Sequence, residues 1–163
     1  MSIIVDAHED IASTMLFYGR DYLNSAYDIR RSEVGSDVET VNGVAMLGLP
    51  EWLRGNVGVV FGTLWTLPDR KQTDQLEQPY RTPSEAHVQA MRQIEVYEEL
   101  AARSLHIKLI QARYDLEDVL KTWHNHSPES AATDNRQVGI VYLMEGGDAI
   151  QEPEEVRLWY VRG

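Results

Sequence analysis

The sequence predicts an α/β protein built around a parallel sheet, and two observations lead to this prediction. Apolar, β-branched segments alternate along the chain with segments that have helical spacing. The first and last of the apolar segments end in polar residues, His8 and Asp10 in one case and Glu145 in the other. Parallel sheets present their chemistry at the carboxyl ends of their strands. We therefore expect a single domain over residues 1–163 with its site at one edge of the sheet.

The first strand is predicted at Ile3–Asp10, where three aliphatic residues precede a polar end. Side chains alternate along a strand, so His8 and Asp10 should project together while Glu9 points to the other face. We expect this strand to be buried in the sheet. The imidazole and the carboxylate would then be candidate metal ligands. The alternative is a strand that runs into a loop whose polar residues bind nothing.

The middle of the chain is predicted to contain a second strand and a long helix. Ile11–Tyr18 is apolar enough to contact a core, and residues 19–41 form a polar excursion with two helices at most. Val57–Trp65 is a β-branched and aromatic run between turn residues, which predicts a buried strand. Thr82-Pro83-Ser84-Glu85 combines an N-cap, a proline at the first helical position and a capping-box glutamate. The apolar stripe of the helix that follows consists of Ala86, Ala90, Met91, Ile94, Tyr97 and Ala101.

The remaining elements are shorter. Residues 106–110 are predicted to form a short strand, and residues 115–123 a helix capped by Asp115. A further apolar strand, residues 138–144, ends in Glu145-Gly146-Gly147. Pro153 opens a last helix with acidic residues in its first turn.

Composition excludes several classes of partner and site. There are 26 acidic and 15 basic residues, for a net charge of −11, and the basic residues form no cluster that could follow a phosphate backbone. We therefore expect neither nucleic acid nor a membrane as partner. The absence of cysteine excludes disulfides and thiolate ligands, so a metal site must use imidazole, carboxylate or water. No leader pattern or bilayer-length apolar run is present, which predicts a cytoplasmic protein.

Parallel strands share their carboxyl edge, so His8, Asp10 and Glu145 should converge although most of the chain separates them. One imidazole and two carboxylates suit a divalent hydrolytic metal, as one ion with an open position or as two bridged ions. The glycines after Glu145 would let the backbone turn sharply. Trp65, at the end of the second strand, is a candidate for the substrate pocket, with a packing role as the alternative.

Three segments together resemble the N-terminal part of the membrane dipeptidase (renal dipeptidase) family of the amidohydrolase superfamily. They are residues 5–10 with His-x-Asp, residues 59–66, and residues 143–150 with Glu-Gly-Gly. The resemblance implies an incomplete (β/α)₈ TIM-type barrel and hydrolysis of dipeptides by a metal-bound hydroxide. It also implies that His8 and Asp10 bind one zinc ion and that Glu145 bridges two Zn²⁺ ions.

The sequence also departs from this family. The family takes further histidine ligands, a carboxylate-binding arginine and an acid/base aspartate from later strands, and none of these can be placed here. We therefore expect the N-terminal portion of a longer enzyme, which by itself would be inactive, poorly soluble and self-associating through the strand that ends at Glu145. A homodimer of the complete enzyme is an open alternative. Another amidohydrolase-type hydrolase of a different amide or ester, and a truncated non-catalytic chain, are the other hypotheses.

Overall fold

The computed structural model describes residues 2–69, 78–124 and 135–163. Its strands are β1 (Ile4–Glu9), β2 (Val57–Trp65), β3 (Ile107–Leu109) and β4 (Val138–Glu145). Its helices are α1 (Ile11–Tyr18), α2 (Ala26–Glu33), α3 (Val38–Asn42), α4 (Leu49–Arg54), α5 (Pro83–Arg103), α6 (Arg113–His124) and α7 (Val156–Arg162). A 3₁₀ turn, Pro153–Glu155, leads into α7.

The four strands form one sheet in the order β1-β2-β4-β3, and every neighbouring pair is parallel. The predicted parallel α/β architecture is therefore confirmed. β2 and β4 pair without interruption from Val59 opposite Gly139 to Trp65 opposite Glu145. β3 pairs only with the first three residues of β4, so the half of β4 that leads to Glu145 has β2 as its single strand neighbour in the described part of the chain.

This order bears on two expectations from the sequence. Successive strands are neighbours in a (β/α)₈ barrel, whereas here β4 lies between β2 and β3. The described strands form an open sheet, and barrel closure stays a prediction. Self-association through β4 also stays a prediction, although its half-paired edge is consistent with it.

The expectation that the first strand is buried was wrong. β1 pairs only with β2 and so forms an edge of the described sheet. Its aliphatic residues Ile4 and Val5 are 53% and 54% exposed. An apolar run of this length is compatible with either position, because the order of the strands decides which one has neighbours on both sides.

The N-cap predicted for α5 forms at Thr82, but the capping-box glutamate bonds to the amide of Arg81, one residue before the N-cap, rather than to the amide of Thr82. The amide of Glu85 donates to the Thr82 side chain at 3.2 Å, and the Glu85 carboxylate accepts from the amide of Arg81 at 2.6 Å. The helix then runs for 21 residues and buries Ala86, Ala90, Gln93, Ile94, Tyr97 and Leu100. None of the helices in the described ranges is long and apolar enough to cross a membrane.

The capping role predicted for Asp115 is different in the structure. α6 begins at Arg113, so Asp115 lies inside its first turn. Its carboxylate reaches back and accepts from the amides of Gln111 at 3.2 Å and Ala112 at 3.0 Å. An acidic side chain in this position satisfies amides that the helix leaves unpaired.

Two groups of helices contact different parts of the sheet. α1, α4 and α5 pack on β2, and the ring of Tyr97 in α5 lies over Gly62, where a Cβ atom would be 2.7 Å from it. α6 contacts β2, β3 and β4, and its Val119 is beside Gly139, near the amino end of β4. The predicted site residues lie at the carboxyl ends of β1 and β4.

Candidate metal centre

The structure brings His8, Asp10 and Glu145 together at the carboxyl edge of the sheet. Each offers one ligand atom, and these atoms all lie within 4.8 Å of one another. His8 Nε2 is 3.0 Å from Glu145 Oε2, and the two side chains are 51% and 42% exposed. The cluster is therefore open to water and to small molecules.

The ligand residues come from strands that are not neighbours. β1 and β4 pair with opposite edges of β2. Because adjacent strands are about 4.8 Å apart, the two backbones are roughly 10 Å apart. The long side chains of His8 and Glu145 meet at the carboxyl end of β2, although 137 positions separate the two residues in the sequence. Both contribute, with Asp10, to a single cluster over the end of β2.

An irregularity in β1 decides which side chains face this cluster. Asp6 is opposite Val60 and Glu9 is opposite Gly62, so β1 takes three steps where β2 takes two. A bulge of this kind re-aims the side chains that follow it. Glu9 consequently lies on the helix-covered side with Gly62, while Asp10 reaches the other side, where it meets Thr63.

Asp10 is held through both its side chain and its backbone. Its Oδ1 accepts a hydrogen bond from Thr63 Oγ1 at 2.6 Å, which leaves Oδ2 for a metal ion. Its carbonyl oxygen accepts from the hydroxyl of Thr14, which lies 2.8 Å from the hydroxyl of Tyr22. Asp10 precedes α1, but its carboxylate makes no capping bond to that helix.

The chain turns sharply directly after Glu145. Gly146 has a φ of +88°, in the left-handed region that side chains other than glycine rarely adopt. The glycine therefore allows β4 to end at its ligand residue and lets the backbone leave the sheet without covering the cluster.

The donor set fits a zinc ion. Imidazole nitrogen and carboxylate oxygen both bind Zn²⁺ at about 2.0–2.2 Å, which places the ligand atoms of a tetrahedral site roughly 3.4 Å apart. The separations in the cluster are compatible with this value, since the His8–Glu145 pair is at 3.0 Å and all pairs are within 4.8 Å. Small rotations of exposed side chains would bring the three atoms onto one ion. The direct contact between His8 and Glu145 would then be replaced by their bonds to the metal.

Trp65 is the last residue of β2, the strand next to β4. It is opposite Glu145 in the register of β2 and β4, and its side chain is half-buried. Its amide donates to Gln93 Oε1 at 3.0 Å, and its carbonyl accepts from Gln93 Nε2 at 2.5 Å. The backbone of Trp65 is thus fixed to α5, while a substrate-binding role for its ring stays a prediction.

Glu9 is a buried acid that the sequence did not single out. It is 5% exposed, and its Oε1 accepts from Trp52 Nε1 at 3.1 Å, while its Oε2 has no partner among the described residues. Burial, together with the charge of Asp6, raises the pKa of Glu9 from 4.5 to about 8. The sequence signal that could have indicated its burial is its position inside a predicted strand, on the face opposite His8 and Asp10.

The raised pKa of Glu9 makes stability depend on pH. The native state holds this proton more tightly than the unfolded chain, so the free energy of unfolding should fall as pH rises from about 4.5 to about 8. Glu9→Gln stays uncharged and should remove this part of the pH dependence. At pH 8 the free energy of unfolding of the variant should therefore exceed that of the wild type by a few kcal/mol. Urea unfolding of both proteins at pH 5 and pH 8 measures the difference. Equal slopes for the two proteins would contradict the assignment.

Comparison with known proteins finds a similar fold and no matching family. No protein-family model matches the chain, and no curated protein matches it. Among solved structures, the chain is similar to the crystal structure of "dipeptidase AC", described as a metallopeptidase of family M19. The TM-score is 0.57 over 99% of this chain, at 17% sequence identity. The chain spans 40% of the length of that protein, and the likeness is one of fold.

Proposed function

We propose that His8, Asp10 and Glu145 bind Zn²⁺ and that the chain provides this part of a metal-dependent hydrolase that acts on dipeptides. The observation that carries the proposal is the convergence of three ligand atoms within 4.8 Å at the carboxyl ends of β1 and β4. The similar fold of a protein described as a dipeptidase and metallopeptidase supports the reaction class.

The three residues have different parts in this proposal. His8 and Asp10 leave the end of the same strand and would hold one ion. Glu145 has two carboxylate oxygens, so it can serve that ion and a second one, which would need ligands in addition to these three. A divalent ion at this position would supply Lewis acidity for the scissile carbonyl and would lower the pKa of a coordinated water. The two carboxylates offset the charge of the cation.

The surroundings of the cluster suit a small substrate. The ligand side chains are about half exposed, so a dipeptide can reach them without a rearrangement of the sheet. Trp65 flanks Glu145 and offers an apolar surface for a substrate side chain. The identification of the substrate as a dipeptide depends on the structural neighbour and on the Glu-Gly-Gly resemblance.

The metal part of the proposal is tested by zinc titration of the 163-residue chain against a chromogenic chelator. Asp148→Asn is a control for zinc binding by acids outside the cluster. Asp148 is an exposed acid close to Gly146 that is not one of the three cluster residues. We expect saturable zinc binding in the wild type and in this control. Absence of saturable binding in the wild type would contradict the proposal.

The hydrolytic part is tested on the native protein purified with its metal, with L-alanyl-L-alanine and a matched ester as substrates. Zinc-dependent release of alanine is the expected result. Cleavage of the ester alone would instead support a hydrolase of another class. For the 163-residue chain by itself we expect zinc binding without dipeptide turnover, because three ligands are too few to fix two ions.

A further inference from the structure

Thr63, on β2, contacts the Asp10 carboxylate of the candidate metal centre. It lies on β2, between the two strands that carry the ligands, and its side chain is fully buried. Its hydroxyl donates to Asp10 Oδ1 at 2.6 Å. A buried hydroxyl that bonds to an exposed carboxylate holds that carboxylate against a rigid part of the sheet.

Thr63 is itself held in place by Tyr97 of α5. The Tyr97 hydroxyl donates to the carbonyl oxygen of Thr63 at 2.9 Å and accepts from the amide of Ala12 at 3.4 Å. Tyr97 is fully buried. One phenol thus fixes the position of Thr63 on β2 relative to the first turn of α1, which directly follows Asp10.

We propose that Thr63 is a positioning residue that orients the Asp10 carboxylate for metal binding. The inference rests on the proposed metal function of the cluster. An exposed aspartate has several rotamers, and ordering it on metal binding costs conformational entropy. The bond from Thr63 selects one orientation beforehand, engages Oδ1, and leaves Oδ2 to the ion.

A packing role for Thr63 is the alternative, and two substitutions separate the two roles. Thr63→Val keeps the shape of the side chain and removes the donor. Thr63→Ser keeps the donor and removes the methyl group. Thr122→Val is a control for the loss of a hydroxyl elsewhere, since the Thr122 hydroxyl, in α6, donates to the carbonyl oxygen of Val119 and accepts from the amide of Gln137.

The test is zinc affinity, measured by chelator competition on the 163-residue chain and its three variants. Thr63→Val should weaken zinc binding by about 10–100-fold, the range typical of residues that orient a metal ligand. Thr63→Ser should restore affinity to within a few-fold of the wild type, and Thr122→Val should leave it unchanged. Urea unfolding without zinc, run on each variant, shows whether the apo fold is retained.

The outcomes distinguish this inference from the function on which it rests. Wild-type affinity in Thr63→Val would overturn the positioning role while leaving the metal centre intact. A Thr63→Ser variant as weak as Thr63→Val would assign the effect to packing and also overturn it. A wild-type chain that binds no zinc would overturn both proposals. A native protein that holds zinc and cleaves no dipeptide would overturn only the proposed reaction.

Discussion

Glu145→Gln should weaken zinc binding by more than about a hundredfold, because it removes a ligand rather than a residue that orients one. Glutamine has nearly the same volume as glutamate, so the end of β4 should keep its shape. The amide carries no charge to offset the cation. The substitution also removes the negative charge of the carboxylate whose Oε2 lies 3.0 Å from His8 Nε2.

Chelator competition on the 163-residue chain measures this loss, and Glu154→Gln provides a control. Glu154 is an exposed acid in the 3₁₀ turn, so its substitution changes the net charge equally without touching the cluster. The proposed function predicts that metal content and dipeptide turnover of the native protein fall together. A Glu145→Gln variant with full metal and a near-normal rate would show that Glu145 is not a ligand.

Gly62→Ala should cost about 3 kcal/mol or more of the free energy of unfolding, at the upper end of the range for overpacked cores. A Cβ at this position would lie 2.7 Å from three atoms of the Tyr97 ring and hydroxyl. The ring cannot move away easily, because its hydroxyl is bonded to Thr63 and Ala12. The shift should also displace Thr63 and weaken zinc binding.

Gly139→Ala is the matched comparison, and urea unfolding measures both variants. A Cβ at Gly139 would lie 2.3 Å from the terminal methyl of Ile110, 3.0 Å from its Cγ1 and 3.3 Å from Val119 Cγ2. These contacts are as close as those at Gly62, but the Ile110 methyl is the end of a flexible, half-buried side chain that can rotate away. We expect this substitution to cost about 1 kcal/mol. Tyr97→Leu should make room for the new methyl group, so the double variant with Gly62→Ala should lose less than the sum of the single losses. Equal costs at the two glycines would show that Tyr97 is not fixed as described.

The strands and the long helix were predictable because their signals are local. Val57–Trp65 is β2 with the predicted bounds, and the capping sequence at Thr82 starts α5 at Pro83. The position of the last strand was equally clear, since its apolar run stops at Glu145. Each of these depends on residues within one element and its flanks.

The features that the sequence did not reveal depend on distant partners. The exposure of β1 follows from the order of the strands, which no local pattern encodes. The burial of Glu9 depends on the irregular register of β1 and on Trp52, 43 positions away. Thr63 is a polar residue in an apolar strand, but its hydrogen bond to Asp10 joins residues 53 positions apart.

The position of β2 between β1 and β4 has a consequence for the kinetics of folding. His8 and Glu145 cannot meet until both β1 and β4 have docked on β2, and the contact between them closes a span of 137 positions. Contacts of such long range form late, because their loop-closure entropy is lost before they contribute any stability. Interactions that are absent from the transition state act mainly on the unfolding rate. An ion bound by this cluster would therefore prolong the lifetime of the native state and leave the rate of folding almost unchanged.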